Sequence, residues 1–433
     1  MKQPISICWI RRDLRLEDNA ALHHALKSDF PVLILFIFDV NILDKLQNKA
    51  DARLTFIHQT LTEIQEKLAN YHTTLLVKYQ TPEKAWNEIL SSYEVKKVYT
   101  NHDDEPYAIS RDQKIGELLQ AQEISFHTFK DQVLFDKNEV LKSDGKPYTV
   151  FTPYFNVWQK KLNEFYIKAY PTEKYFKNFL ATLVLPLPTL AEMGFKASEQ
   201  TFPALDFESK LNAYESERDY PALDATTHIG LHLRFGTVSI RIAAKKALAH
   251  KADKWLAELA WRDFYMMILA HFPHIVTKAF KPAYDNIVWR NNEAEFKAWC
   301  EGKTGYPLVD AGMRQLNETG FMHNRVRMVV ASFLCKHLLI DWRWGEAYFA
   351  EKLLDYDQAS NIGGWQWACG SGNDAAPYFR VFNPELQLKK FDPKMEYVYK
   401  WAPEYKAAIL PMPIVEHTFA RDRVLKIFKT ALT

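Results

Sequence analysis

Read as a helix, the segment Trp255-Leu256-Ala257-Glu258-Leu259-Ala260-Trp261-Arg262 puts Trp255, Glu258 and Arg262 on one stripe, with Trp261 one step round. An acid, a base and two indoles on one face can grip a flat polar molecule. The same pattern also fits an i,i+4 surface pair beside core tryptophans. A second helical segment opens His323-Asn324-Arg325-Val326-Arg327-Met328 and sets Asn324, Arg327 and Met328 at i, i+3 and i+4. An amide, a guanidinium and a thioether would then face one cavity, or a cap residue would precede core filler.

The segment from Asp355 to Trp367 resembles a calcium loop only superficially. Counted from Asp355, its sixth position is Ser360 and its twelfth Gln366, where glycine and glutamate are required. Its glycines do not close on Lys-Ser/Thr, so it is no phosphate loop either. What remains is two carboxylates (Asp355, Asp357) and an amide (Asn361) for the polar edge of a heterocycle, and two indoles (Trp365, Trp367) to stack on it. The turn Ala225-Thr226-Thr227-His228-Ile229-Gly230 is rich in hydroxyls and backbone donors. It suits either a diphosphate or a plain helix entry.

These candidates need elements to hold them, and the two ends of the chain supply different kinds. Apolar, β-branched runs at 5–10, 32–38, 74–79, 97–100 and 125–129 alternate with helical patterns, a βαβ rhythm that predicts a doubly wound parallel sheet. Ligands of such sheets sit beyond the strands' carboxyl ends, here near Arg11–Arg15, Asp39–Asn41 and Asn101–Tyr107. Arg11-Arg12-Asp13 follows the first strand in place of a glycine fingerprint, which argues against a nicotinamide domain. Turn and proline signals over 131–199 read as a connection between domains. Beyond 200, helical patterns at 240–250, 254–271, 293–300, 307–318, 323–339, 344–354 and 417–432 predict an all-helical domain. The expected architecture is an α/β Rossmann-like domain over 1–130, a linker over 131–199 and an all-α domain over 200–433.

With 433 residues, 48% of them hydrophobic and 25% charged, the chain is long enough for two or three cores and too apolar to be largely disordered. The four cysteines, Cys8, Cys300, Cys335 and Cys369, are too scattered for a zinc clamp, and a reducing cytoplasm is expected. No metal is called for. A net charge of +2 gives no global signal for nucleic acid, so any such partner must be met by a local patch. The opening residues do not read as a signal peptide and the longest apolar run is too short for a bilayer, so no membrane partner is expected. Nine of the 12 tryptophans fall between 255 and 401.

Together these segments resemble the DNA photolyase and cryptochrome family, and within it the photolyases that act on cyclobutane pyrimidine dimers. The likeness runs from Cys8-Trp9-Ile10-Arg11-Arg12-Asp13-Leu14-Arg15 to Pro413-Ile414-Val415-Glu416-His417. It is most specific at Glu301-Gly302-Lys303-Thr304-Gly305-Tyr306-Pro307, Met322–Met328 and Asn361-Ile362-Gly363-Gly364-Trp365-Gln366-Trp367. The resemblance implies an FAD folded into a U inside the helical domain. Tyr214, Thr226, Thr227, His228, Ile229, Gly230, Trp255 and Arg262 would surround its phosphate, ribose and adenine side, with Glu258 also against the cofactor. Asn324, Arg327, Asp355, Asp357 and Asn361 would surround the isoalloxazine, Arg327 pairing with Asp355 and Asn361 lying opposite N5.

The resemblance further assigns Trp365, Trp342 and Trp289 to an electron relay for photoreduction. It assigns Glu258, Trp261, Asn324, Arg325, Met328 and Trp367 to the flipped-out dimer, and Arg218 and Arg325 to DNA phosphates; Glu258, if protonated in an apolar pocket, would donate to a dimer carbonyl. It implies DNA containing cyclobutane dimers as the partner of a monomeric enzyme. An antenna chromophore of folate, deazaflavin or flavin type would sit in the first domain, with no selection among the three. The histidines of the branch acting on 6-4 photoproducts are absent near Asn324 and Met328. Two departures from the family pattern are Phe321, where tryptophan is common, and Gly230, where serine usually ends the turn. The rivals are a blue-light cryptochrome that signals to a protein, disfavoured by the short stretch after His417, and a single-strand-specific relative.

Overall fold

The computed structural model describes residues 2–375, 377–407 and 411–432. Five strands, β1 (Pro4–Trp9), β2 (Val32–Asp39), β3 (Leu75–Gln80), β4 (Glu94–Asn101) and β5 (Ser125–Phe129), form one parallel sheet in the order β3-β2-β1-β4-β5. Each expected strand is present within three residues at its ends. The reason is plain in β2, whose Val-Leu-Ile-Leu-Phe-Ile-Phe-Asp is buried along its whole length, as a strand covered on both faces must be. Ile7, Trp9, Leu33, Leu35 and Val98 make the centre of one core face, with Trp9 edge-on to Trp86 at 5.7 Å. The winding reverses between β1 and β4, which places a crevice at their carboxyl ends.

The chain divides into two compact units, and the stretch 131–199 does not form a single linker. Leu162–Leu205 and Ile229–Lys246 belong with the sheet, while Lys137–Lys161 belongs with the helical unit, which also holds Asp206–His228 and the chain from Ala247 on. Backbone pairing and charge explain the split. Leu180 N–H donates to Val32 O at 2.8 Å and its side chain joins the sheet's core. Arg241 donates to Asp18 Oδ1 at 2.8 Å and to Asp131 Oδ1 at 2.7 Å, and Arg15 pairs with the other Asp131 oxygen, all of them buried. In the opposite direction, the helix Phe151–Lys161 sends Trp158 Nε1 to Asp263 Oδ2 at 2.9 Å, inside the helical unit.

Within that unit the helices Asp253–His271, Asn324–Ser332, Trp342–Lys352 and Gln358–Cys369 carry most of the candidate residues. The helix expected over 323–339 keeps α geometry only to Ser332. Phe333–His337 form a π-turn and Leu339 takes φ of 53°, so the tail turns away. Two glycines set the helix spacing. A Cβ on Gly363 would run into the ring of Tyr265, and one on Gly345 into the ring of Trp365. No described helix is long and apolar enough to cross a membrane.

Candidate active site

The Asp253–His271 helix carries Glu258 on a partly exposed turn, where it forms an ion pair with Arg218. Arg218 stacks over Tyr214 at 5.1 Å, and its Nε lies 3.9 Å from Asp219 Oδ1. Asp219 Oδ1 in turn accepts from Arg325 Nη2 at 2.7 Å, and Arg325 Nη1 lies 3.8 Å from Met328 Sδ. Tyr214, Arg218, Glu258, Arg325 and Met328 are thus joined, through Asp219, into one charged rim. Burial works against the Arg218 charge, but Glu258 and Tyr214 outweigh it and raise its pKa. Burial and the Glu258 charge raise the Tyr214 phenol, which stays neutral.

The apolar pocket expected around Glu258 is corrected: its side chain is a third exposed and paired with the Arg218 guanidinium. On the same helix Trp261 lies flat on Phe151, ring centres 3.6 Å apart at 7°, which covers one face of the indole. Phe151 sits in the expected linker. Its N–H donates to Asp374 Oδ2 at 2.9 Å, which holds it in place. Trp367 is partly exposed and tilts against Phe382 at 6.3 Å.

Deeper in the unit, His323 caps the Asn324–Ser332 helix through its Nδ1, and burial lowers its pKa to about 4, so it caps as the neutral ring. Asn324 is exposed. Arg327 binds both Asp355 oxygens, at 3.1 and 2.9 Å, and its Nε donates to Met322 O at 2.7 Å, so the expected Arg327–Asp355 pair is present. Arg327 and Met328 do not share a face in their contacts: Arg327 turns to Asp355, Met328 to Arg325. Asp357 caps the Gln358–Cys369 helix by accepting from Ser360 N–H at 3.1 Å.

Asn361 Nδ2 donates to Glu346 Oε1 at 3.0 Å and to Glu346 O at 3.2 Å. Glu346 also accepts from Tyr356 Oη at 3.2 Å, and burial raises its pKa despite both bonds. The Asn361 amide is thereby fixed in one orientation. Sequence reasoning missed Glu346, although it stands four residues after Trp342 on the same helix.

On the turn, Trp255 is buried, stacks on Phe207 at 5.5 Å and 10°, and donates to Thr227 Oγ1 at 3.2 Å. Lys210 donates to Thr226 O at 3.1 Å and pairs with Asp224 at 2.8 Å. His228 takes φ of 50° and packs against Phe321 at 4.2 Å. Gly230 opens the short helix Gly230–Phe235, which together with Ile229 belongs to the sheet unit. Of the three relay candidates, Trp365 and Trp342 are buried and Trp289 is partly exposed. The donor chemistry fits FAD: a lysine and hydroxyls at the turn suit a diphosphate, and a fixed amide with a guanidinium–carboxylate pair suits the polar edge of a flavin ring.

The sequence matches the family model "DNA photolyase" over residues 6–174 and the model "FAD binding domain of DNA photolyase" over 255–411. The chain belongs to the DNA photolyase family. The deoxyribodipyrimidine photo-lyase of Halobacterium salinarum is 34% identical, over 99% of both chains. Among solved structures, a class III photolyase from Agrobacterium tumefaciens superposes with a TM-score of 0.87 at 32% identity, covering 100% of this chain and 98% of that one. An archaeal photolyase from Sulfolobus tokodaii, described with two FAD molecules, gives 0.83 at 34% identity, covering 98% and 99%.

The crevice at the sheet's carboxyl edge gathers the residues expected there. Arg11 pairs with Asp112 and donates to Asn101 O. Arg12 bridges Asp103 at 3.2 Å and Glu105 at 2.8 Å, and Tyr107 bonds Asp39. Burial and the Asp39 bond push the Tyr107 phenol up to about 12.

Proposed function

We propose that this chain is a light-driven deoxyribodipyrimidine photo-lyase, which breaks the two cyclobutane bonds of a pyrimidine dimer in DNA. The observation that carries the reading is the full-length match to enzymes of that name, with a charged rim and a fixed amide where the family's motifs stand. Reduced FAD, held by the residues named below, would supply light-driven one-electron chemistry to the cyclobutane ring. The remaining work falls to this chain's side chains. Trp261, backed by Phe151, and Trp367 offer flat faces to a dimer rotated out of the duplex, where the cost of unstacking is least for a damaged pair. Arg218 and Arg325 face phosphates and confer sequence-independent, salt-sensitive affinity.

Glu258 accepts a ring N–H of the dimer as Arg218 turns to phosphate. Asn324 and Met328 line the same opening. Thr226, Thr227, His228, Trp255 and Arg262 hold the diphosphate and adenine side. Arg327, Asp355, Asp357 and the Glu346-fixed Asn361 present a preorganised field to the flavin ring. Trp365, Trp342 and Trp289 run from buried to part-exposed, the order an inward electron relay needs. The enzyme acts as a monomer in the reducing cytoplasm beside its DNA, in keeping with its free cysteines.

The test is direct. Protein loaded with FAD and chemically reduced is illuminated with blue light on a dimer-containing oligonucleotide, and restored thymine is measured by chromatography. Light-dependent restoration is expected. Intact dimers under a fully reduced, FAD-loaded protein would instead favour the photosensory reading. Equal action on single strands and duplex would exclude the single-strand specialist.

A further inference from the structure

The helix Phe151–Lys161 lies along the helix that carries Trp261, and three contacts mark its course. Trp158 Nε1 donates to Asp263 Oδ2 at 2.9 Å, Tyr154 meets Phe264 at 5.1 Å, and Phe151 stacks on Trp261 at 3.6 Å and 7°. Trp158 and Tyr154 are fully buried, so that part of the helix is held by its surroundings. Phe151 stands in the first turn, where backbone N–H groups have no partner within the helix and the end is prone to fray. Its ring can stay flat on Trp261 only if something fixes that turn.

The fixing groups come from far along the chain. Asp374 Oδ2 accepts from the Phe151 N–H at 2.9 Å, and Asn373 Nδ2 donates to Thr149 O at 3.1 Å. A carboxylate at a helix N-terminus also meets the favourable end of the dipole. Both residues belong to the turn that leaves the Gln358–Cys369 helix, the one bearing Trp367. Gly370 ends that helix at φ of 103°, and the N–H groups of Gly370 and Gly372 both donate to Gln366 O. Gln366 is itself tied down: its Oε1 accepts from Phe280 N–H at 2.9 Å, and its Nε2 donates to Ile275 O and Lys278 O, each at 3.0 Å. The turn is anchored beside Trp367 at its root, and its tip grips the residue behind Trp261.

We infer that Asp374, assisted by Asn373, is a positioning residue that sets the Trp261 face relative to Trp367 and so selects a rotated-out dimer over intact duplex. The inference rests on the photo-lyase reading above, in which those two indoles receive the dimer. Asp374 acts through the Phe151 backbone and ring. A stack needs two flat faces parallel at contact distance, so a Trp261 ring free to tilt loses its hold on the dimer. Binding through phosphates does not depend on that ring.

The test compares Asp374→Ala, Asp374→Asn and Phe151→Leu, each loaded with FAD and kept in the dark, by fluorescence anisotropy on labelled duplexes with and without a dimer. Stacking of a base on an aromatic ring is worth about 1–3 kcal/mol, roughly 5- to 150-fold in affinity. Asp374→Ala should therefore bind the dimer-containing duplex about 5-fold or more weakly, with affinity for the undamaged duplex within about 2-fold. Asp374→Asn keeps an oxygen for the Phe151 N–H and should restore most of the discrimination. Phe151→Leu keeps the backbone bond but removes the flat ring, and it should repeat the loss, so the outcome is read even if Asp374→Ala does not fold. Unchanged discrimination in either variant, or equal loss on both duplexes, overturns this inference alone. An unmodified chain that binds the two duplexes equally overturns the proposed function with it.

Discussion

Asp219→Asn is expected to tighten the grip on undamaged DNA. Asp219 holds Arg325 at 2.7 Å and lies 3.9 Å from Arg218, so phosphates must compete with its carboxylate for both guanidiniums. With side-chain exposures of 41% for Asp219 and 22% for Arg325, the pair is solvent-screened. Such pairs are worth about 0.2–1 kcal/mol, which converts to roughly 1.4- to 5-fold in affinity when the competition is removed. One added net positive charge at the rim should also steepen the log–log salt dependence by up to about 0.9, so the gain should be largest at low salt. Fluorescence anisotropy of an undamaged labelled duplex over a salt series reads both quantities. A dimer-containing duplex gains less in proportion, because its flipped bases add contacts that Asp219 does not touch, and discrimination falls. Asp219→Glu should behave as the unmodified chain. Unchanged or weaker binding by Asp219→Asn at every salt would show that these guanidiniums do not meet phosphates.

Trp365→Phe should slow photoreduction of oxidised flavin while chemically reduced protein still repairs; equal loss of both would refute the division of roles. Glu346→Leu removes the carboxylate that accepts from the Asn361 amide and the Tyr356 hydroxyl, leaving Asn361 only the backbone carbonyl of residue 346, a loss of roughly 1–3 kcal/mol in urea unfolding. It should also shift the midpoint of a flavin redox titration, which a purely structural role would not do. Gly363→Ala drives a methyl into the Tyr265 ring and should cost about 1–3 kcal/mol with weakened FAD retention, read by thermal melting and flavin absorbance. Asp131→Asn should cost roughly 3–5 kcal/mol, because it takes the carboxylate from Arg15 and leaves the buried Arg241 with Asp18 as its one carboxylate partner among these bonds. Burial pushes the Asp131 carboxyl up, but the two guanidiniums outweigh it and hold it below the ordinary 3.8. Its contribution is therefore complete above that pH and drains away as pH falls through the lower folded value, so only the unmodified chain should show this loss in acid denaturation.

The centre of the sheet was legible because β1 and β2 are short apolar runs that no helix period could explain, and the site residues were legible by type and spacing along single helices. What sequence hid were partners brought from elsewhere. Asp219 reads as one more acid beside Arg218 until Arg325, more than a hundred positions on, is folded against it. Phe151 lies in a stretch whose turn and proline signals concealed the helix Phe151–Lys161, yet it backs Trp261. The expected all-helical domain over 200–433 differs at Arg241 for a related reason: a helix bound into the sheet unit by buried charge looks the same in sequence as a helix of the other unit. The apolar pocket around Glu258 came with the resemblance, and nothing along its own helix announces Arg218, forty residues earlier, which pairs with it.

The two glycines at the helix crossings carry the link from fold to chemistry. Gly363 lets the Gln358–Cys369 helix approach Tyr265, so the helix bearing Asn361, Trp365 and Trp367 lies against the one bearing Glu258, Trp261 and Arg262. Gly345 admits the Trp365 ring to the helix bearing Trp342, Trp344 and Glu346. Since a helix moves as a rigid body, widening either crossing displaces every group on it at once. The Asn361–Glu346 bond spans the second crossing at 3.0 Å, and a shift of about an ångström would carry it beyond hydrogen-bond range. A wedge at Gly345 should therefore perturb the orientation of Asn361 and the Trp365–Trp299 contact together, although what it meets directly is the Trp365 ring and the Leu334 side chain.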